Sequence, residues 1–358
     1  MPFSLLRINN FRNISSAEVC LSEDLNYFVG ANGSGKTSFL EAIYSLVRGR
    51  SFRTRYLKPM IKDGSVDNTV VFANWAAYDG TLHIIGVERN LKSSRVRLNG
   101  QDVRRISTVS SLIPLQFLSS QSVSFFTSGP SARRKYFDWG VFHVEQQFIH
   151  ILERYKRLIQ QRNVALRNHD KQTISAFQYG LAEAALDIDE FRKNYFEAIS
   201  SVVASLCKEF SIFPGLSLVY EKGWSERIPF EQALKNKLPS DLSRGYTSIG
   251  PQYFDVRFLI CRQPVEQVLS GGELKLLVHL LKVAQICLLN KIQTISTVYL
   301  IDDFYAELSP LFRVKAQDFL KFIRCQVIIT SPDICLIPPN HDCGRTFHVE
   351  HGKITSVN

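Results

Sequence analysis

The chain has 358 residues, 45% hydrophobic and 21% charged, which is enough to bury a sizeable core and long for one compact unit, so two lobes are expected. Lys and Arg outnumber Asp and Glu by 43 to 33, a formal charge of +10 that favours a polyanionic partner, although plain solubility accounts for it equally well. The start MPFSLLRINNFRN has no leader layout and no apolar run reaches about 18 residues, so neither export nor membrane spanning is expected, and seven scattered Cys with no C-x-x-C suit a reducing cytoplasm.

From residue 1 to about 100 the chain alternates as strands. SLLRINNFRNI and AEVCLSEDLNYFVG come first, and TVVFANWAAY, TLHIIGVERN and SSRVRLNGQDV follow as meandering strands of a mixed sheet. Between them, LNYFVGANGSGKTSFLEAIYSL sets Gly30, Gly35, Lys36 and Thr37 in G-x-x-x-x-G-K-[ST], after an apolar strand and before an amphipathic helix. The loop Gly30, Ala31, Asn32, Gly33, Ser34, Gly35, Lys36, Thr37 and Ser38 is therefore the candidate ATP site. Its amides can wrap the β-phosphate, Lys36 can reach the β- and γ-oxygens, and the Thr37 hydroxyl can ligate Mg²⁺.

RGRSFRTRYLK follows the loop's helix, with Arg50, Arg53 and Arg55 among interleaved Phe52 and Tyr56. With Arg104 and Arg105 of RRIS it is a candidate DNA-phosphate surface; ARRK (132–135) and ERYKRLIQQR (153–162) are further basic clusters, and a solvated face is the plainer explanation of each.

From about 130 to 210 the period changes. Ile174, Phe177, Leu181, Ala184, Ile188, Phe191, Tyr195, Ala198 and Val202 recur in steps of three and four, one apolar stripe along a helix. Phe148, Ile151, Leu152, Tyr155, Leu158 and Ile159 form a second stripe, and NHDKQ between them is short and polar, so an antiparallel hairpin is expected, either an arm or an ordinary core pair. SERIPFEQALKNKLPSDLSRGYTSIGPQYFDVRF, rich in Pro, Gly and Ser, reads as the irregular return path.

LSGGELKLLVHLLKVAQICLLN opens a helix on Ser270, Gly271 and Gly272, whose amides and hydroxyl suit an anion. Then come the apolar strand STVYLIDD, a helix over about 309–324 and the apolar strand CQVIITS, a pattern that predicts a parallel core sheet. Asp302, at a strand end, can hold Mg²⁺ through water, and Asp303 can orient or deprotonate an attacking water. In the tail, Cys335, His341, Cys343, His348 and His351 have spacings that fit no zinc pattern.

The ordered set NFRN, GANGSGKT, LSGGELK, LIDDFYAELS and VIITS resembles the ABC-type ATPase heads of the SMC class. The arm, GRSFRTR, GPSARRKYFDWGVFH and RGYTSIGPQ narrow the resemblance, over nearly the whole chain, to the RecF family of recombination mediators. It implies an α/β fold: an ABC-type P-loop head of mixed sheet plus parallel core, residues 1–115 together with 250–358, carrying a helical arm and return segment at 116–249. It implies that Arg12 lies near the nucleotide, that Gln121 senses Mg²⁺ and the γ-phosphate, and that Ser270, Gly271 and Gly272 act in trans on a partner's ATP. It implies an ATP-dependent homodimer on duplex or gapped DNA, a weak DNA-stimulated ATPase that recruits RecR with RecO to load RecA in replication repair and the SOS response. The chain departs from the pattern in three places: Thr330 and Ser331 stand where transporter ATPases have a His, Gln252 and Tyr253 replace a His-Arg pair, and Ser309 replaces an Asp in the seam loop. A phosphoryl-transferring metabolic enzyme, a transporter ATPase and an ATP-gated binding module with negligible turnover are the alternatives.

Overall fold

The computed structural model describes residues 2–62, 68–77, 79–293, 296–336 and 344–357, so His341 and Cys343 of the tail lie outside the described residues. Strands β1 (Phe3–Phe11), β2 (Ile14–Cys20) and β3 (Leu25–Val29) lead into helix α1 (Lys36–Arg48). Strands β4 (Thr69–Ala76), β5 (Leu82–Arg89), β6 (Ser94–Leu98) and β7 (Gln101–Asp102) precede helix α2 (Ser107–Leu112) and strand β8 (Leu115–Ser119). Helices α3 (Ser124–Thr127), α4 (Pro130–Val144), α5 (Phe148–Arg167) and α6 (Lys171–Glu209) come next, then β9 (Leu216–Glu221), α7 (Phe230–Arg244), β10 (Asp255–Ile260), β11 (Gln263–Pro264) and α8 (Val265–Val268). The chain ends with α9 (Gly271–Ile292), β12 (Thr297–Asp302), α10 (Pro310–Leu320), β13 (Cys325–Ser331), β14 (Gly344–Glu350) and β15 (Lys353–Ser356).

The chain divides into two units, Met1–Ser122 with Lys275–Asn358, and Val123–Leu274. The segment 250–274, expected in the head, falls in the second unit because β10 pairs along its whole length with β9 and then turns back into β11. Among the described residues no helix is long and apolar enough to cross a membrane.

In the first unit, one sheet runs β2-β1-β4-β5-β6-β7; the strands that the alternation predicts are there, but the sheet is entirely antiparallel where a mixed one was expected, because β3 leaves it to pair in parallel in the other sheet. The other runs β15-β14-β3-β13-β12-β8 and is parallel except for the β14–β15 hairpin. Helix α1 supplies buried Phe39, Leu40, Ile43 and Leu46 to a core shared with Leu6, Ile8, Val71 and Ile85 of the first sheet and Phe28, Leu300 and Ile328 of the second. Strand β12 is buried along Thr297–Ile301, which is why its sequence is a continuous apolar run.

In the second unit, α5 and α6 follow the two predicted stripes: Phe148, Leu152 and Tyr155 are buried on one, Ile174, Leu181, Ile188 and Tyr195 on the other. Asp170 caps α6, accepting the Thr173 amide at 3.1 Å. The supposed return path contains a 15-residue helix, α7, with Pro239 inside it. Phe230, Ala233 and Leu234 bury its apolar side, and that burial offsets the poor helix chemistry that made the stretch read as irregular.

Candidate nucleotide site

Parallel register sets the site. Ser331 is opposite Val29, and Asp302 is opposite Ser119, so the loop after β3, the acidic end of β12 and the end of β13 share one carboxyl edge of the sheet. The loop is shaped by backbone that only glycine takes without strain: Gly33 has φ 80° and Gly35 φ 119°. It is also closely backed. A Cβ on Gly30 would lie 2.1 Å from the Val349 carbonyl oxygen, and the Gly352 amide of the C-terminal hairpin donates to the Ser34 carbonyl at 2.7 Å.

A cavity of about 810 Å³ opens on this edge, lined by Arg12, Asn13, Gly33, Gly35, Lys36, Thr37, Ser38, Arg53, Lys58, Pro59, Ile61, Lys62 and Asp303. Lys36 is 3% exposed. Its ammonium donates to the carbonyls of Gly30 at 2.8 Å and Ala31 at 3.1 Å, and no carboxylate pairs with it among the described residues. The Thr37 hydroxyl donates to Asp302 Oδ1 at 3.0 Å, and Thr330 donates to the same oxygen at 2.8 Å. Burial, aided by the neighbouring Asp303, raises the Asp302 carboxyl above the usual carboxylate range against those two hydrogen bonds. Asp303 has φ 45°, and its amide donates to the Thr330 hydroxyl at 2.9 Å. Two hard oxygen donors, Thr37 and Asp302, thus adjoin the Lys36 loop, a set that fits Mg²⁺, which binds through one or two carboxylates and the substrate's phosphates.

The structure brings Arg12, Lys36, Thr37, Asp302 and Asp303 together. Ala31 and Asn32 are exposed in the loop and Gly30 is buried beneath it. Gln121 is exposed in the turn two residues beyond Ser119 and does not line the cavity.

Ser270, Gly271 and Gly272 stand at the start of the 22-residue helix α9. Here the sequence reading missed a capping box, S-x-x-E. The Ser270 hydroxyl and amide donate to Glu273 Oε2 at 2.7 and 2.8 Å, and the Glu273 amide donates back at 3.3 Å. These bonds hold the Glu273 carboxyl below its ordinary range. The Gly271 and Gly272 amides remain as the helix's first donors. Five residues on from Ser270, Lys275 pairs with Glu307, in the turn that follows β12.

The basic clusters separate into two kinds. Ile106, just after Arg104 and Arg105, packs against Gly49, just before Arg50, so the RRIS and GRSFRTR segments adjoin. Arg50, Arg55, Arg104 and Arg105 are exposed there, and Arg53 turns to the cavity. By contrast, Arg133 forks onto Asp255 at 2.8 Å, Arg134 donates to the Phe254 carbonyl at 2.9 Å, and Arg162 is 1% exposed, so these three are structural. Gln252 also faces inward, accepting from the Tyr155 hydroxyl at 2.5 Å and donating to the Ile249 carbonyl at 2.9 Å.

The model of the RecF/RecN/SMC N-terminal domain matches residues 3–355. The DNA replication and repair protein RecF of Vibrio parahaemolyticus is 36% identical over 359 residues, covering 99% of this chain and 100% of the relative. The chain belongs to the RecF family. RecF of Aliivibrio salmonicida is likewise 36% identical, over 99% of both chains. Among solved structures, the recombination mediator protein RecF with ATP superposes with a TM-score of 0.87 at 22% identity, over 100% of this chain and 98% of that one. An Smc head bound to the C-terminal winged-helix domain of ScpA superposes with a TM-score of 0.61 at 16% identity, over 100% and 98%. The fold is that of the ABC-type ATPase heads of RecF and SMC proteins, and membership of this ATPase family leaves the metabolic-enzyme and transporter readings without support.

Proposed function

We propose that the chain is an ATP-dependent DNA clamp of recombinational repair, a homodimer that closes on duplex or gapped DNA when ATP and Mg²⁺ bind and opens as ATP is slowly hydrolysed. The observation that carries the reading is the cavity lined by Lys36, Thr37 and Asp303, with Asp302 behind it bonded to Thr37 and Thr330. Lys36 would hold the β- and γ-phosphates, and the first amides of α1 would face them. Mg²⁺ held by Thr37 and Asp302 would neutralise charge building on the β- and γ-oxygens. Asp303, fixed at its backbone by Thr330, would orient the attacking water.

Each head would lend Ser270, Gly271 and Gly272 to its partner's ATP. Arg50, Arg55, Arg104 and Arg105 would take DNA phosphates, with no base reading. RecR and RecO would be its partners, as the RecFOR pathway of the solved RecF suggests, and they would lead on to RecA loading in the cytoplasm. A module with negligible turnover is a second reading, favoured by Thr330, which stands where a His would meet the γ-phosphate but gives its one hydroxyl proton to Asp302.

The test is fluorescence anisotropy of gapped and blunt duplexes with ATP, ADP or no nucleotide, beside single-turnover hydrolysis. ATP should tighten DNA binding, steeply weakened by salt, with slow turnover stimulated by DNA. Equal affinity in all three nucleotide states would sink the clamp reading, and absent turnover with ATP-gated binding would select the second.

A further inference from the structure

Glu41 lies in the middle of α1, five residues beyond Lys36, with no exposed side-chain surface. A buried carboxylate is tolerated only when paired and hydrogen-bonded, and its partners here come from two other segments. Arg12, in the β1–β2 turn, forks onto it through Nε at 2.9 Å and Nη2 at 2.6 Å. The Ser51 hydroxyl donates to it, and the half-exposed Arg53 guanidinium stands 3.7 Å away. Ser51 also accepts the amides of Arg53 and Thr54 at 2.8 and 3.0 Å, so the carboxylate anchors that loop's backbone as well as its charge.

Several partners alone do not mark a site, since any buried carboxylate needs its lone pairs satisfied; the identity of the partners does. Glu41 takes two arginines that both line the nucleotide cavity. The fork engages Nε and Nη2 of Arg12 and leaves Nη1 with no protein partner among the described residues. We infer that Glu41 is a positioning residue for ATP: it fixes Arg12 so that the unengaged edge meets the nucleotide's phosphates, and it anchors the loop that carries Arg50, Arg53 and Arg55. The inference rests on the ATP reading of the cavity. Arg53, longer in its contact and more exposed, is the arginine a polyphosphate can draw away, while the Arg12 fork stays.

The test is a double-mutant cycle in affinity for a fluorescent ATP analogue, with thermal unfolding as a check on folding. Arg12→Ala and Glu41→Gln should each weaken binding by roughly tenfold, and the double variant should lose clearly less than the two losses multiplied, because Glu41 acts in large part through Arg12 and otherwise through the Arg53 loop. Glu41→Asp, which keeps the charge, should recover part of the loss. Arg12→Lys, which keeps the cation on an accessible turn but cannot fork, should reproduce it even if Glu41→Gln folds poorly. Multiplying losses in the double variant, or wild-type affinity in Arg12→Ala or Arg12→Lys, would overturn the inference. A wild-type protein that binds no ATP would instead remove the reading beneath it.

Discussion

Lys36 and Arg162 are both buried cations, 3% and 1% exposed, but their surroundings differ in kind. Arg162, in the second unit, meets Asp241 at 3.0 Å and Thr247 at 2.5 Å, and Asp241 in turn accepts the Ser248 amide and hydroxyl. Arg192, in the same unit, forks onto Asp138 at 2.9 and 3.1 Å and donates to the Pro251 carbonyl. These charges are matched within the protein and serve the fold. Among the described residues Lys36 has only neutral carbonyl acceptors, and the carboxyl bonded to Thr37 of its loop, Asp302, is pushed up by burial. A charge the fold leaves unmatched is one a ligand can match, and the contrast separates site from scaffold.

The contrast is sharpest in two substitutions. Arg162→Ala leaves the buried Asp241 without its cation and should cost about 3–5 kcal/mol of stability in urea unfolding. It should leave the ATP affinity of the folded protein unchanged; a variant that unfolds normally but loses ATP would place Arg162 in the site. Lys36→Met should do the opposite, weakening ATP roughly 30-fold or more in a nucleotide titration while the melting temperature holds or rises, since a buried cation without a counter-charge is removed. A marked fall in melting temperature would show that Lys36 serves the fold.

Two smaller effects refine the comparison within one helix. His279 in α9 is fully buried against Tyr299, Phe304 and Phe319, and neither ring nitrogen has a hydrogen-bond partner among the described residues. Burial lowers its pKa to about 3. The folded state therefore keeps the ring neutral while the unfolded chain takes up a proton below about pH 6.5, so stability falls as the pH drops through that value. Between pH 7.5 and 5.5 His279 should account for a loss of about 1 to 1.5 kcal/mol, which His279→Phe should abolish. The same acid sensitivity in both proteins would assign it to other groups. Smallest is Glu273→Ala, which opens the capping box at the start of α9 and should cost about 0.5–1 kcal/mol, read as a small shift in the urea midpoint. No shift would mean the box contributes nothing to the helix.

The nucleotide loop was legible because its chemistry is local: two glycines, a lysine and a threonine at fixed spacing require one backbone path. The strands of the first sheet were legible from alternation, though not their order or their antiparallel pairing, and the parallel core was legible from apolar runs between helices. Glu41 was not, because its meaning comes from Arg12 and Ser51, which the fold, not the spacing, brings to it. Arg53 misled in the same way. It reads as one of a basic run, and only the pairing with Glu41 turns it to the cavity. Helix α7 was hidden by Pro239 and its polar flanks, since burial of Phe230 and Leu234 is a tertiary fact. The capping box at Ser270 was written in the sequence as S-x-x-E and was passed over for the anion reading of the same residues.

The most direct test of the ATP-gated clamp is sedimentation velocity of the wild-type protein and Ser270→Arg with duplex DNA, in no nucleotide, ADP, and ATP with Mg²⁺. The account predicts dimers on DNA for the wild type with ATP only, and a Ser270→Arg protein that binds ATP yet stays monomeric. A protein that is monomeric in every nucleotide state, or a Ser270→Arg variant that dimerises as the wild type does, would contradict it.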